Sequence, residues 1–150
     1  MEDLLRKISK DYPQFNFRPG STHCWSPQKC QITYNVCGGA DAIIGIMHEL
    51  GHAELSHTSY GSDIELLQKE VDAWQAATRI AKTYGITLSE ERIQDCLDTY
   101  RDWLYKRSRC PNCSGSGIQQ TPDNYNCTNC FVVWRVGASR LRRPYRQQNK

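Results

Sequence analysis

The chain has 150 residues, 39% of them hydrophobic and 23% charged, enough for one modest core and a small appendage but not for two full domains. A mean hydropathy of −0.68 and the lack of any long apolar run exclude a membrane span. The formal net charge of +3 conceals a split: residues 1–100 hold 9 Lys+Arg against 14 Asp+Glu, giving −5, and residues 101–150 hold 10 against 2, giving +8. The charged amphipathic start, MEDLLRKISK, carries no secretory pattern, which points to a cytoplasmic location.

In chain order, Leu4, Leu5, Ile8 and Tyr12 share one stripe of a helix expected over residues 2–12. Prolines and a glycine then interrupt short β-prone runs. Phe15-Asn16-Phe17 and residues 31–36 are expected as strands of a small sheet, ended by Gly38-Gly39. A helix is expected at 41–57 and another at 63–84, stopped by Gly85. A third, at 88–107, opens on the capping-box pattern Thr87-Leu88-Ser89-Glu90 and would bury Ile93, Cys96, Leu97, Tyr100, Trp103 and Leu104. The fold class is α+β: a helical core over a small β-sheet in residues 1–109, a metal-stapled appendage in 110–134, and a basic tail in 135–150 expected to be flexible.

Eight cysteines would suit a disulfide scaffold, but four of them form two CxxC pairs, Cys110/Cys113 and Cys127/Cys130. Two-residue spacers point both sulfurs of a turn at one ion, and two such knuckles make a tetrahedral thiolate site. Turn chemistry at Pro111 and Gly115-Ser116-Gly117, with short strands around Tyr125 and Phe131–Trp134, completes a zinc ribbon. Paired disulfides are the competing reading, disfavoured in a chain without an export signal. Cys24 and Cys30 flank a turn and would face each other across a hairpin; with His23 they match no defensible metal spacing, so they, Cys37 and Cys96 are read as buried or free thiols.

The most specific feature is His48-Glu49-Leu50-Gly51-His52, an HExxH sequence led in by Ala42, Ile43, Ile44, Ile46 and Met47. Positions i and i+4 lie about 40° apart on a helical wheel, so both imidazoles reach one zinc ion with Glu49 beside them as a general base. A catalytic zinc needs a third protein ligand and an open position. His57, Glu70 and Asp72 are the candidates. In a continued helix His57 points about 140° away from His52. Glu70 falls amid Leu66, Leu67, Ala73, Trp74, Ala77 and Ala81, where a carboxylate is costly unless paired or metal-bound. Asp72 shares a solvated face with Glu65, Gln68, Lys69, Gln75 and Arg79. Glu70 is therefore the expected ligand, with Asp72 or His57 as the alternatives.

HELGH, followed 18 residues after its second histidine by Glu70-Val71-Asp72-Ala73-Trp74-Gln75-Ala76-Ala77, resembles the gluzincin arrangement and, more closely, the ImmA/IrrE metallopeptidase family. The resemblance covers residues 12–84. It implies a zincin-like core with His48, His52 and Glu70 holding a catalytic zinc and Glu49 as base, beside the structural zinc of the ribbon. It departs from the family pattern at Trp74, where a polar residue is usual, at Asp72, which replaces a glutamate, and in the added ribbon. An HExxH core with a cysteine ribbon also resembles the SprT-like proteases, which work near DNA but use a later histidine as ligand. The implied activity is hydrolysis of a protein substrate by zinc-activated water, as a cytosolic regulatory endopeptidase. Tyr60 is the candidate oxyanion donor, and by fold analogy the strand at 31–36 would take substrate backbone by strand addition.

After Asp123 no acidic residue follows, whereas Arg135, Arg140, Arg142, Arg143, Arg146 and Lys150 supply +6, interleaved with Trp134 and Tyr145. A ribbon plus a basic tail is a nucleic-acid footprint. A solubilising tail beside a structural staple reads equally well. Three functions follow in order: the regulatory endopeptidase, a nucleic-acid-associated protease, and a zinc-ribbon nucleic-acid-binding module on a catalytically silent fold.

Overall fold

The computed structural model describes residues 2–37, 39–137 and 146–148. It is a mixed α+β structure with four helices and two small sheets among the described residues. The chain forms two compact units, residues 1–59 with 69–93 and residues 60–68 with 94–150. This division does not fall at the expected boundary at 109/110, because the chain before the ribbon contributes residues 60–68 and most of the last helix to the second unit.

The first unit contains α1 (Glu2–Asp11), β1 (Asn16–Gly20), β2 (Cys24–Ser26), β3 (Gln31–Asn35), α2 (Ala40–Glu54) and most of α3 (Asp63–Thr83). The sheet order is β1-β3-β2, with β1 parallel and β2 antiparallel to β3. Phe17 and Trp25 both sit opposite Ile32, which is fully buried. The central position of β3 corrects the expectation that residues 31–36 receive substrate backbone: both of its edges are already paired. The short strand β2, hidden in the sequence by the adjacent Pro27, lies at one edge of the sheet and β1 at the other. Register also separates Cys24 from Cys30. Cys24 pairs with Thr33, while Cys30 takes a left-handed conformation (φ 45°) after the turn at Pro27–Lys29, and both thiols are exposed.

Packing of α2 on α3 depends on small residues. Ala73, Ala76, Ala77 and Ala81 are buried along α3. A Cβ on Gly51 would come within 2.3 Å of the Ala73 carbonyl oxygen, so glycine is what lets the two backbones approach. Ile46, Met47, Leu50, Ala53, Trp74 and Ile80 complete this part of the core. Helix α2 stops at Glu54 rather than running to 57, because Ser56 is left-handed (φ 52°) and His57 N–H turns back to the His52 carbonyl at 2.9 Å.

In the second unit, α4 (Glu90–Ser108) leads into β4 (Gly117–Thr121), β5 (Asn124–Cys127), β6 (Val133–Val136) and β7 (Arg146–Gln148), an antiparallel sheet in that order. Tyr125 and Trp134 stack with centroids 5.7 Å apart, and Trp134 Nε1–H donates to the Arg107 carbonyl at 3.0 Å. The tail expected to be flexible supplies β7 at residues 146–148, where backbone pairing to Trp134, Arg135 and Val136 extends the sheet. The remaining tail positions, 138–145 with Arg140, Arg142, Arg143 and Tyr145, and 149–150 with Lys150, lie outside the described residues. No helix of the described residues is long and apolar enough to cross a membrane.

Candidate metal centres

The first centre lies within the first unit. One turn of α2 separates His48 from His52, and the close approach at Gly51 brings Glu70 of α3 against both. His48 Nε2 and His52 Nε2 are 3.2 Å apart, and Glu70 Oε2 is 3.2 and 3.6 Å from them. Ligands about 2.0–2.1 Å from a tetrahedral ion sit about 3.3 Å from one another, so the triangle has the size of one face of such a site. Glu70 is buried, and its Oε2 makes no directed hydrogen bond despite these distances. Three atoms, each able to present a lone pair, converge on one point, an arrangement that suits a cation. These three residues form a group able to hold a metal ion. Burial pushes the Glu70 carboxyl up, but the adjoining His48 and His52 rings outweigh it and hold the group well below the usual carboxylate range.

The surrounding residues fix the rings and the candidate base. Trp74 lies one turn after Glu70 on α3 and stacks on His48, with centroids 4.2 Å apart and planes 27° apart. His57 is corrected as a candidate ligand. The turn after Glu54 carries its Nδ1 to 2.9 Å from His52 Nδ1, the nitrogen that faces away from Glu70. Burial first, then the neighbouring His52 and Lys69, lower the His57 pKa, against Asp72 and Glu70. Asp72 is half-buried and not part of the ligand group. Glu49 Oε2 accepts the backbone N–H of Trp25 in β2 at 2.7 Å, and the Trp25 indole N–H donates to the His57 carbonyl at 2.9 Å. Cys24 is close enough to Glu49 that this charge, after burial, raises its thiol pKa. His23 packs instead against Gly45 and is not in either metal group among the described residues. Tyr60, the expected oxyanion donor, is an exposed residue of the second unit.

The second centre, wholly within the second unit, gathers the four ribbon cysteines. Cys110 and Cys130 sulfurs are 3.6 Å apart, and Cys113 and Cys127 sulfurs 3.5 Å. These separations are far too long for disulfides, near 2.05 Å, and close to the roughly 3.8 Å between thiolates around one ion with 2.3 Å bonds. All four sulfurs form a group able to hold a structural metal. Each knuckle is followed by a residue in the left-handed region, Ser114 (φ 58°) and Phe131 (φ 59°). Asn129 and Cys130 backbone N–H groups donate to the Cys127 sulfur, both at 3.4 Å. The Val132 backbone N–H and then the Asn112 amide bring Cys130 down to about 6, whereas burial pushes Cys110 up to about 11. Backbone donation stabilises thiolates, the form that binds metal.

The HExxH spacing and the apolar setting of Glu70 pointed to the first group, and the CxxC pairs to the second. Trp25 and the approach of His57 to His52 carried no sequence signal, since both depend on a three-residue strand and a left-handed turn. Trp74 did carry one: at i+4 from Glu70 it shares that residue's face. No protein-family model matches the chain, and no match to it is found among curated proteins or solved structures.

Proposed function

We propose that the protein is a zinc-dependent endopeptidase with a zincin-like core of the ImmA/IrrE kind, cytoplasmic and regulatory, whose ribbon binds a second, structural zinc. The observation that carries this reading is the convergence of His48 Nε2, His52 Nε2 and Glu70 Oε2 on one point, with Glu49 on the same helix. His48, His52 and Glu70 would hold the zinc, which supplies Lewis acidity toward water and a scissile carbonyl. Glu49, its Oε2 steadied by the Trp25 N–H, takes a proton at Oε1 and returns it to the leaving amine.

Glu49→Gln tests the reading. Cleavage of a quenched-fluorescence peptide library is expected to disappear while bound zinc is retained. Unchanged cleavage removes Glu49 from the mechanism, and a zinc-loaded wild type that cleaves nothing in the library removes the endopeptidase.

A second reading, a nucleic-acid-docking ribbon with or without protease activity, is favoured by the +8 charge of residues 101–150 and the exposed Phe131. Binding of single-stranded oligonucleotides should then fall steeply with salt; a flat response dismisses it.

A further inference from the structure

His52 can bind a metal through Nε2 only if its single proton sits on Nδ1. A free neutral imidazole populates both tautomers, and a partner on the outer nitrogen decides between them. The two histidines of the first centre differ in this respect. His48 Nδ1 is buried without a hydrogen-bond partner, and its ring is held by the Trp74 face. His52 Nδ1 faces His57 Nδ1 at 2.9 Å.

We infer that His57 is a positioning residue for the metal centre: it accepts the His52 Nδ1–H, and so presents the His52 Nε2 lone pair to the ion. The inference rests on the metal reading of His48, His52 and Glu70. His57 is itself placed by three constraints. Its N–H is bound to the His52 carbonyl, its carbonyl accepts the Trp25 indole N–H at 2.9 Å, and Ser56 before it occupies the left-handed region. Its Nδ1 meets the outer side of His52 rather than the point where the three ligand atoms converge, which separates orienting from ligating. An acceptor at Nδ1 requires the His57 proton on Nε2. The same carbonyl links the ring to β2, so the strand that holds Glu49 also holds the group that orients His52.

The test uses the full chain with the ribbon loaded, titrating Co²⁺ into the first centre against a competing chelator. His57→Ala is expected to weaken that centre about 10- to 100-fold while leaving the cysteine site unchanged. His57→Asn places an amide oxygen near the position of Nδ1 and should restore most of the affinity; His57→Gln, whose amide corresponds to Nε2, should not. In the zinc-loaded wild type, imidazole nitrogen shifts should report His52 protonated at Nδ1 and His57 at Nε2. Thermal melts of the three variants separate a folding defect from a binding one. Should alanine weaken binding no more than about two-fold, or asparagine behave as alanine does, the inference fails alone. Should the wild type take up no ion beyond the cysteine site, it fails together with the metal reading.

Discussion

Arg107 and Asp63 form a buried two-point ion pair, Nε to Oδ2 at 2.5 Å and Nη2 to Oδ1 at 3.3 Å, with side chains only 2% and 3% exposed. Tyr125 donates its hydroxyl to Oδ2 at 2.5 Å, Gln119 its amide to Oδ1 at 3.3 Å, and Arg107 also reaches the Pro122 and Gly137 carbonyls. The guanidinium lies 4.4 Å over the Trp103 ring. Each of the three guanidinium nitrogens thus donates to an acceptor while the Trp103 ring covers one face, the condition under which a buried charge is tolerated.

Removing one partner is therefore expected to cost far more than removing both. Asp63→Ala strands Arg107 and should lower stability by about 3–5 kcal/mol. Asp63→Leu combined with Arg107→Met should recover most of that loss. Urea unfolding of the metal-loaded protein checks both. A loss below about 1 kcal/mol for Asp63→Ala would mean that the pair does not hold this unit together.

The same network predicts sensitivity to alkali. Burial, then the hydrogen bond and charge of Asp63, raise the Tyr125 hydroxyl well above its ordinary pKa near 10. The unfolded chain releases this proton above about pH 10 while the folded chain keeps it. The contribution is complete below pH 10 and is lost as pH rises toward the folded-state value. Urea midpoints between pH 9 and 11.5 should fall, and Tyr125→Phe should flatten the slope. An equal slope in the variant would assign the alkaline loss to other groups.

Gly51→Ala puts a methyl group where the Ala73 carbonyl stands. Overpacking of this kind costs about 1–3 kcal/mol. Because relief requires α2 and α3 to separate, the distance from Glu70 to His48 and His52 should grow. A lower thermal midpoint together with weaker metal uptake at the first centre is the expected pair of results; unaltered uptake would show that the helices can part without disturbing the ligands.

Two metal equivalents are expected in the wild type and one in either Cys113→Ser or His48→Ala. Structural zinc contributes about 10–16 kcal/mol in peptide-sized zinc domains. Chelation should therefore abolish the near-ultraviolet circular dichroism of the packed Trp134 and Tyr125 pair. Two equivalents surviving in Cys113→Ser would exclude a four-thiolate site.

Much of the local structure was legible because its signals are local. The buried face of α4 follows the 3.6-residue period through Ile93, Leu97 and Trp103. That period also places Arg107 on the buried side, although its charge suggested the surface. Glu70 stood out from Asp72 because two residues on a helix turn the side chain through about 200°.

By itself, the sequence determined the two local halves of each candidate site, His48 with His52 and the paired CxxC turns, since HExxH on a helix and CxxC encode geometry over five and four residues, while the packing of α2 on α3 brought in Glu70. The sequence also determined the −5 and +8 partition of charge. Only the tertiary structure decided which strands lie at the sheet edges, where His57 points, and which charges are buried. Each depends on long-range pairing: β3 between β1 and β2, a carbonyl held by Trp25 from 32 residues away, and Arg107 meeting Asp63 across 44. Local periodicity carries no term for such contacts, because their free energy appears only when distant segments exclude water together.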